Sequence, residues 1–416
     1  MGSPVPQFPG SPVKSAGQPG NRATGQPPFI VHRSSLIRFA ASAYLIHILF
    51  HHKIALLMLS AFAAIFAVAW AVGRGDARFS FHILYYPLIL YGLVSSLSSF
   101  AAERRIHEGY EGILWYKMLI FPAAIILFRE VPRLRERILY PYALLAGGSS
   151  IWALIQYAFL DRRDLEHRIS GPASHVMTFS GLLLPLSLMF LLLWWRQRKP
   201  LFLIVTVLST LTLLLTFTRS VWLGWAAAVF TLLMLTRTRI RYYAVPALLL
   251  FITFLPLSLF GRLISTFDMT QSSNFDRIRM VQAGVEMIKD HPLLGVGPAN
   301  VKEDYALYKK HDAPRPRPAH LHNNLVQLWA ERGILGLAAY VLLLVLFLRQ
   351  CALAWNTNRM WAEIGVAVTV GLMVAGLFEF NFGDSEVFYL MLNLFALVTA
   401  WTESNEPALG VVPAVA

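Results

Sequence analysis

Residues 320–340 read HLHNNLVQLWAERGILGLAAY, and the fold is decided here. The stretch opens on a polar knot of His320, His322, Asn323 and Asn324. An amphipathic run follows, with Leu325, Leu328 and Trp329 at helical spacing. Gly333 and Gly336 then begin an apolar segment that continues to Leu348. A hydrophilic loop therefore passes back into a membrane at this point, with the polar knot just outside it.

The rest of the chain fits that reading. Of its 416 residues, 56% are hydrophobic and 14% charged, and the mean hydropathy is +0.54. Long apolar runs separated by short basic loops define an all-α polytopic membrane protein. Measured against the length a helix needs to cross hydrocarbon, the spans fall at roughly 36–50, 54–73, 81–100, 113–128, 138–160, 174–195, 200–218, 220–236, 242–260, 333–349, 361–380 and 386–402, about twelve transmembrane helices in all. Residues 36–73 read as one span or two. With the N-terminus cytoplasmic, each inner loop is basic: Arg74 and Arg78; Arg129 to Arg137; Arg196, Arg198 and Lys199; Arg237 to Arg241; Arg349 and Arg359. The domain plan is a disordered cytoplasmic tail (1–35), spans one to nine (36–260), a large periplasmic helical loop carrying the histidines (261–332), spans ten to twelve (333–402) and a C-terminal tail (403–416). The net charge of +13 raises nucleic acid as a partner, but its confinement to loops between apolar runs argues for membrane orientation instead. One cysteine, Cys351, excludes an intrachain disulfide framework.

Several polar residues break the membrane pattern. Arg219 stands between two apolar runs, where an arginine is costly unless paired or facing a polar cavity. Arg277 and Arg279 lie in the large loop, and Arg168, Arg104 and Arg105 in other outer loops. Guanidinium forks suit phosphate oxygens, so several of them around one outer pocket would fit a pyrophosphate; snorkelling or pairing with acidic neighbours is the structural alternative. His322 can serve as a general base if it stays neutral, and a helix starting at Asn323 and Asn324 disfavours an added positive charge beside it. An interfacial capping histidine is the plainer reading. The segment Glu379 to Glu386 fits a solvated turn as well as a set of carboxylates facing acceptor or arginine. Tyr110, Trp115 and Tyr116 read as an interfacial belt. No Asp-x-Asp or dense carboxylate cluster calls for a metal.

The order His322-Asn323, nine residues, Gly333, two residues, Gly336 resembles the signature of the bacterial O-antigen ligase and polymerase superfamily. Pro292-Leu-Leu-Gly-Val-Gly-Pro298 resembles that family's turn before the histidine, Thr218-Arg219-Ser220 its arginine segment, and Arg168 with Gly171-Pro172 and His175 its loop into a central span. The resemblance implies a metal-free, cofactor-free inverting glycosyl transfer at the periplasmic face of the bacterial inner membrane. The donor is a glycan on undecaprenyl pyrophosphate. The acceptor is a sugar hydroxyl of lipid A–core for a ligase, or another lipid-linked repeat for a polymerase. It further implies His322 as the base, Arg219 with Arg277 or Arg279 on the pyrophosphate, and His320, Asn323 and Arg168 in support. A lipid-linked protein glycosylase is a variant of the same chemistry. A transporter is the reading from another class, and it would place its essential polar residues at the bilayer midplane rather than at the outer face.

Overall fold

The computed structural model describes residues 2, 29–49, 51, 54–102, 114–159, 168–236, 261, 265, 268 and 271–404. Among these residues every regular element is helical. They are α1 (Phe29–Leu49), α2 (Ile54–Gly73), α3 (Tyr85–Ala101), a 3₁₀ segment (Leu114–Leu119), α4 (Ile120–Glu130), α5 (Leu134–Phe159), α6 (Val176–Gln197), α7 (Pro200–Leu215), α8 (Arg219–Thr236), α9 (Ser272–Asp290), α10 (Asn300–Tyr308), α11 (Asn324–Leu353), α12 (Arg359–Gly376) and α13 (Ser385–Thr402). Six of them, α5, α6, α8, α11, α12 and α13, are long and apolar enough to cross a membrane. Three shorter apolar helices accompany them, Ser35–Leu49, Leu59–Gly73 and Pro200–Leu215. The all-helical, multi-pass plan is thus present, with six helices meeting the spanning criteria against the expected count of about twelve. The segment 36–73 forms two helices. The span expected at 242–260 lies outside the described residues, as do Arg104, Arg105, Tyr110 and most of both tails.

Local chemistry sets the breaks. The turn between α6 and α7 has Arg198 in the left-handed region at φ 56° and Pro200 at the first helical position, where its missing N–H costs nothing. Between α7 and α8, Phe217 is left-handed at φ 52°. Helix α8 crosses α12 where Gly224 faces the backbone of Gly371, and a side chain on Gly224 would meet that carbonyl. Small residues permit this closeness, which is how helices gain packing in lipid. Helix α13 is buried along nearly its whole length at the centre of the bundle. On α3, by contrast, Tyr86, Ile89, Leu93, Leu97 and Phe100 form an exposed apolar stripe of the kind that faces acyl chains. At one end of the bundle Glu363, 1% exposed, takes two hydrogen bonds from Arg196 Nη2 at 2.5 and 2.6 Å and one from Arg359 Nε at 2.9 Å. The histidines lie at the other end.

One boundary differs from the expected 333–349. Helix α11 begins at Asn324, and the amphipathic run and the span are one element broken at Gly333, whose φ is 64° and ψ −174°. That break frees the carbonyls of Ala330 and Glu331, and the 292–298 turn takes them up. Val296 N donates to Ala330 O at 2.8 Å, Gly297 N to Glu331 O at 3.0 Å, and Ile334 N to Pro292 O at 2.9 Å. Trp329 Nε1 also donates to Pro292 O at 3.1 Å. Ser98 Oγ on α3 lies 2.6 Å from Leu294 O and 2.8 Å from Glu331 O, tying the clamp to the bundle. Irregular backbone at the membrane edge survives only where its polar groups are satisfied in this way.

Candidate functional site

Asn323 caps α11 in the expected manner: its Oδ1 accepts from Val326 N at 3.0 Å. Its Nδ2 donates to Leu377 O at 2.9 Å, so the same side chain joins the start of α11 to the end of α12. Asn324 repeats the link deeper in. It donates to Asn381 Oδ1 at 2.7 Å and accepts from Phe382 N at 3.2 Å. These bonds hold the 377–384 turn against the histidine motif and bring Glu379 to it.

Glu379 lies between the two histidines. Its Oε2 is 2.9 Å from His322 Nδ1, and its Oε1 is 3.2 Å from His320 Nε2. Burial alone would raise the Glu379 pKa. The hydrogen bond from His322, the positive potential of both histidines and that of Arg277 outweigh it, and the carboxyl falls to about 2. An ionised carboxylate only accepts hydrogen bonds, so each histidine presents an N–H to it. For His320 the other nitrogen, Nδ1, accepts from His322 N at 3.3 Å, so both of its ring nitrogens are engaged. His322 is different: its Nδ1 lies against Glu379, so a neutral ring would carry its proton there and keep the lone pair on Nε2. His322 adopts φ 53°, an uncommon left-handed conformation for a residue with a Cβ. That conformation lets the ring double back toward Glu379 while Asn323 starts the helix.

Burial pushes the His320 pKa down to about 4, aided by His322, His175 and Arg277 and opposed by Glu379. This predicts a pH dependence of stability. The folded-state pKa is below the unfolded value of 6.5, so the unfolded chain takes up a proton first as the pH falls. The contribution is fully present above pH 6.5 and is lost between there and about 4, by at most about 3 kcal/mol. Thermal midpoints of His320→Gln should fall less steeply than wild type over this window. Parallel profiles would remove His320 as the titrating group.

The arginines separate into three situations. Arg168 donates from Nε to Thr216 O at 2.7 Å and from Nη2 to Thr218 Oγ1 at 2.5 Å. Burial lowers its pKa to about 10, Arg277 and Arg219 act the same way, and Glu379 opposes. Arg277 is half-buried and, among the described residues, makes no hydrogen bond or ion pair, although it senses Glu379 and Arg315. Arg219, 5% exposed, donates to Ser265 O at 2.7 Å, Gln271 Oε1 at 3.0 Å, Ser273 Oγ at 3.1 Å and Asn274 Oδ1 at 2.6 Å. Its guanidinium therefore pins the start of α9 to the start of α8. Arg279 points elsewhere: it pairs with Asp312, donates to Gln282 Oε1 at 2.7 Å and lies 4.7 Å from the Phe275 ring centroid. Positions two apart on a helix are about 200° apart around its axis, so Arg277 and Arg279 cannot share one face.

Of the residues singled out from the sequence, the structure thus gathers His320, His322, Arg168 and Arg277 around Glu379. Asn323 and Arg219 hold the surrounding backbone, and Arg279 is apart. Two features were not foreseen. Glu379 fits a solvated turn and a carboxylate facing acceptor or arginine equally well in the sequence, and the histidine motif gives no hint that it is the partner of a residue 57 positions before it. The buried neighbours Glu331 and Arg332 form an ion pair, with Gln327 Nε2 donating to Glu331 Oε1 at 2.8 Å and Arg332 Nε to Ser95 Oγ at 3.0 Å. They brace the clamp. His320, His322 and Glu379 also offer ligand atoms within 4.8 Å of one another, a set that could hold a divalent ion.

Fold and site define a multi-pass helical membrane protein with a histidine–carboxylate centre flanked by arginines. Over part of its length the chain is similar to O-antigen ligases: a family model of that description matches residues 204–341, and the resemblance read from the histidine motif is borne out. The match takes in Arg219, Arg277 and His322 and stops before Glu379. A protein of Rickettsia conorii (strain ATCC VR-613 / Malish 7), provisionally named a polysaccharide ligase, is 28% identical over 138 residues. That similarity covers 31% of this chain and 32% of the relative.

Proposed function

We propose that this chain transfers a glycan from undecaprenyl pyrophosphate to a sugar hydroxyl of lipid A–core, with inversion, at the periplasmic face of the bacterial inner membrane. The observation that carries the reading is the 2.9 Å contact between His322 Nδ1 and Glu379 Oε2, which directs the proton of a neutral ring to Nδ1. His322 Nε2 accepts the proton of the acceptor hydroxyl as the oxygen attacks the anomeric carbon. The bond from that carbon to the phosphate oxygen breaks on the opposite side, and the lipid pyrophosphate leaves with the electron pair. Glu379 holds the imidazole and stabilises the imidazolium that forms, which is the usual service of a carboxylate behind a catalytic histidine. Arg277 and Arg168 face the leaving group, where preorganised positive charge lowers the barrier. Arg219 serves by holding α9, and through it Arg277, in place. Arg279 has no part in the pocket. The membrane domain carries about twelve spans in this reading, with lipids around it and no cofactor in the reaction.

Reconstituted protein, supplied with an undecaprenyl-pyrophosphate-linked repeat with and without lipid A–core, tests this directly. Glycan on lipid A–core supports a ligase. Longer glycans on undecaprenyl pyrophosphate without that acceptor would make it a polymerase. No product in either arm removes the ligase and polymerase readings and leaves a protein acceptor or transport as the next to test. A chelator arm decides the metal question raised by the triad: turnover kept in EDTA supports the base, and turnover lost and restored by Zn²⁺ or Mn²⁺ reassigns the triad to an ion. In the same assay Arg277→Lys should lower kcat/KM about tenfold to a hundredfold, since a point charge lacks the bidentate fork. Arg279→Ala should stay within about threefold of wild type. The opposite order would exchange their assignments.

A further inference from the structure

Residue His175 stands directly before α6, in extended backbone at φ −142° and ψ 145°, and caps that helix. Its Nδ1 accepts from Met177 N at 3.2 Å. A ring nitrogen that accepts an N–H has no proton of its own, so Nε2 is the protonated nitrogen and a standing donor. The side chain is exposed, and it lies within electrostatic reach of His320, as does Arg277. The loop that carries it is built rather than loose. Arg168 is fastened to Thr216 and Thr218, Gly171 N donates to Gln156 Oε1 at 3.1 Å, and Gly171 packs against the Phe179 ring on α6. One short loop thus delivers a cationic fork and a neutral N–H donor to the same end of the bundle as Arg277.

We propose that His175 is a third binding residue of the pyrophosphate pocket, its Nε2–H donating to an oxygen of the leaving diphosphate alongside Arg168 and Arg277. The inference rests on the glycosyl-transfer reading above and deepens it. A neutral donor suits this position for a physical reason. Arg277 already depresses Arg168, and a further fixed charge would add repulsion between them, whereas an N–H gives direction without charge.

Cap and donor can be separated. Asparagine and aspartate are both good helix caps, and neither reaches as far as imidazole Nε2. Full-length protein in nanodiscs would be titrated with inorganic pyrophosphate and with undecaprenyl pyrophosphate, for wild type, His175→Asn, His175→Asp and Arg277→Ala. The expected result is affinity about tenfold weaker for His175→Asn, the worth of one hydrogen bond to a charged acceptor, and weaker still for His175→Asp, with thermal midpoints unchanged. If His175→Asn and His175→Asp bind both probes as wild type does while Arg277→Ala does not, His175 is a cap only and the proposal falls, leaving the pocket intact. If wild type binds neither probe, or Arg277→Ala binds as tightly as wild type, the pyrophosphate pocket itself is wrong and this inference falls with it.

Discussion

His322→Ala, Glu379→Gln and the two changes together should each lower glycan transfer by about a thousandfold or more, and the double variant should be little worse than either alone. The reason lies in how the proton is placed. Glu379 Oε2 lies 2.9 Å from His322 Nδ1, so in the proposed mechanism the proton of the neutral ring sits there and Nε2 is left bare. A glutamine at 379 offers an amide that can donate to Nδ1, and the ring proton then moves to Nε2. The base is lost although no atom of it has been removed. His322→Ala removes the base itself, so the second change has nothing left to disable. Folding should persist in both cases. His320 still contacts residue 379, and Asn323, Asn324 and Asn381 tie α11 to the α12–α13 turn without the histidine. Single-turnover transfer, measured beside thermal midpoint and monodispersity, checks the set. A double variant slower than either single by the product of their effects would show that the two residues act independently, and the dyad would be dissolved.

The site shows what a sequence can and cannot carry. The proposed base His322, its neighbour His320 and the cap at Asn323 are all local: the cap follows from residue type and spacing, and the base role from the motif's resemblance. The helical plan follows from apolar length. What stayed hidden depends on where a distant turn returns. Glu379 becomes a partner only because Asn324 binds Asn381 and Phe382 across 57 and 58 positions. Arg219 illustrates the converse. Its burial at a helix start gives a sound reason to expect a ligand, but the loop after α8 comes back to it and Ser265, Gln271, Ser273 and Asn274 take its donors. The choice between Arg277 and Arg279 was nearer to hand. Met280, Ala283 and Met287 mark the buried face of α9, and helical phase separates the two arginines once a second point on the pocket is known. The motif's glycines mark the opening of a span in the sequence, and their spacing has a structural cause: Gly333 is where the 292–298 turn crosses the helix, and Gly336 is where the Arg332 side chain lies against it.

Gly333→Ala is therefore expected to damage the protein differently from any change in the dyad. At φ 64° and ψ −174° the backbone is in a region that is essentially confined to glycine, which costs another residue about 1–3 kcal/mol. A Cβ there would also fall on the carbonyl of Leu293, a backbone atom of the turn that clamps α11. To make room the turn must withdraw. The bonds from Val296, Gly297 and Ile334 then stretch, so that at the membrane edge the carbonyl of Ala330 loses its turn partner and that of Glu331 keeps only Ser98. The combined loss is about 3–5 kcal/mol, in the range of the severest single substitutions. Activity should fall with stability, because Asn324 rides on the half of α11 that this clamp orients and His322 stands directly before its cap. Thermal midpoint and transfer measured on the same preparation separate the two kinds of lesion. A Gly333→Ala protein with a wild-type midpoint but no transfer would mean that the glycine serves the chemistry and not the break in the helix. A fall in both, set beside His322→Ala with its midpoint intact, places Gly333 in the frame that carries the base.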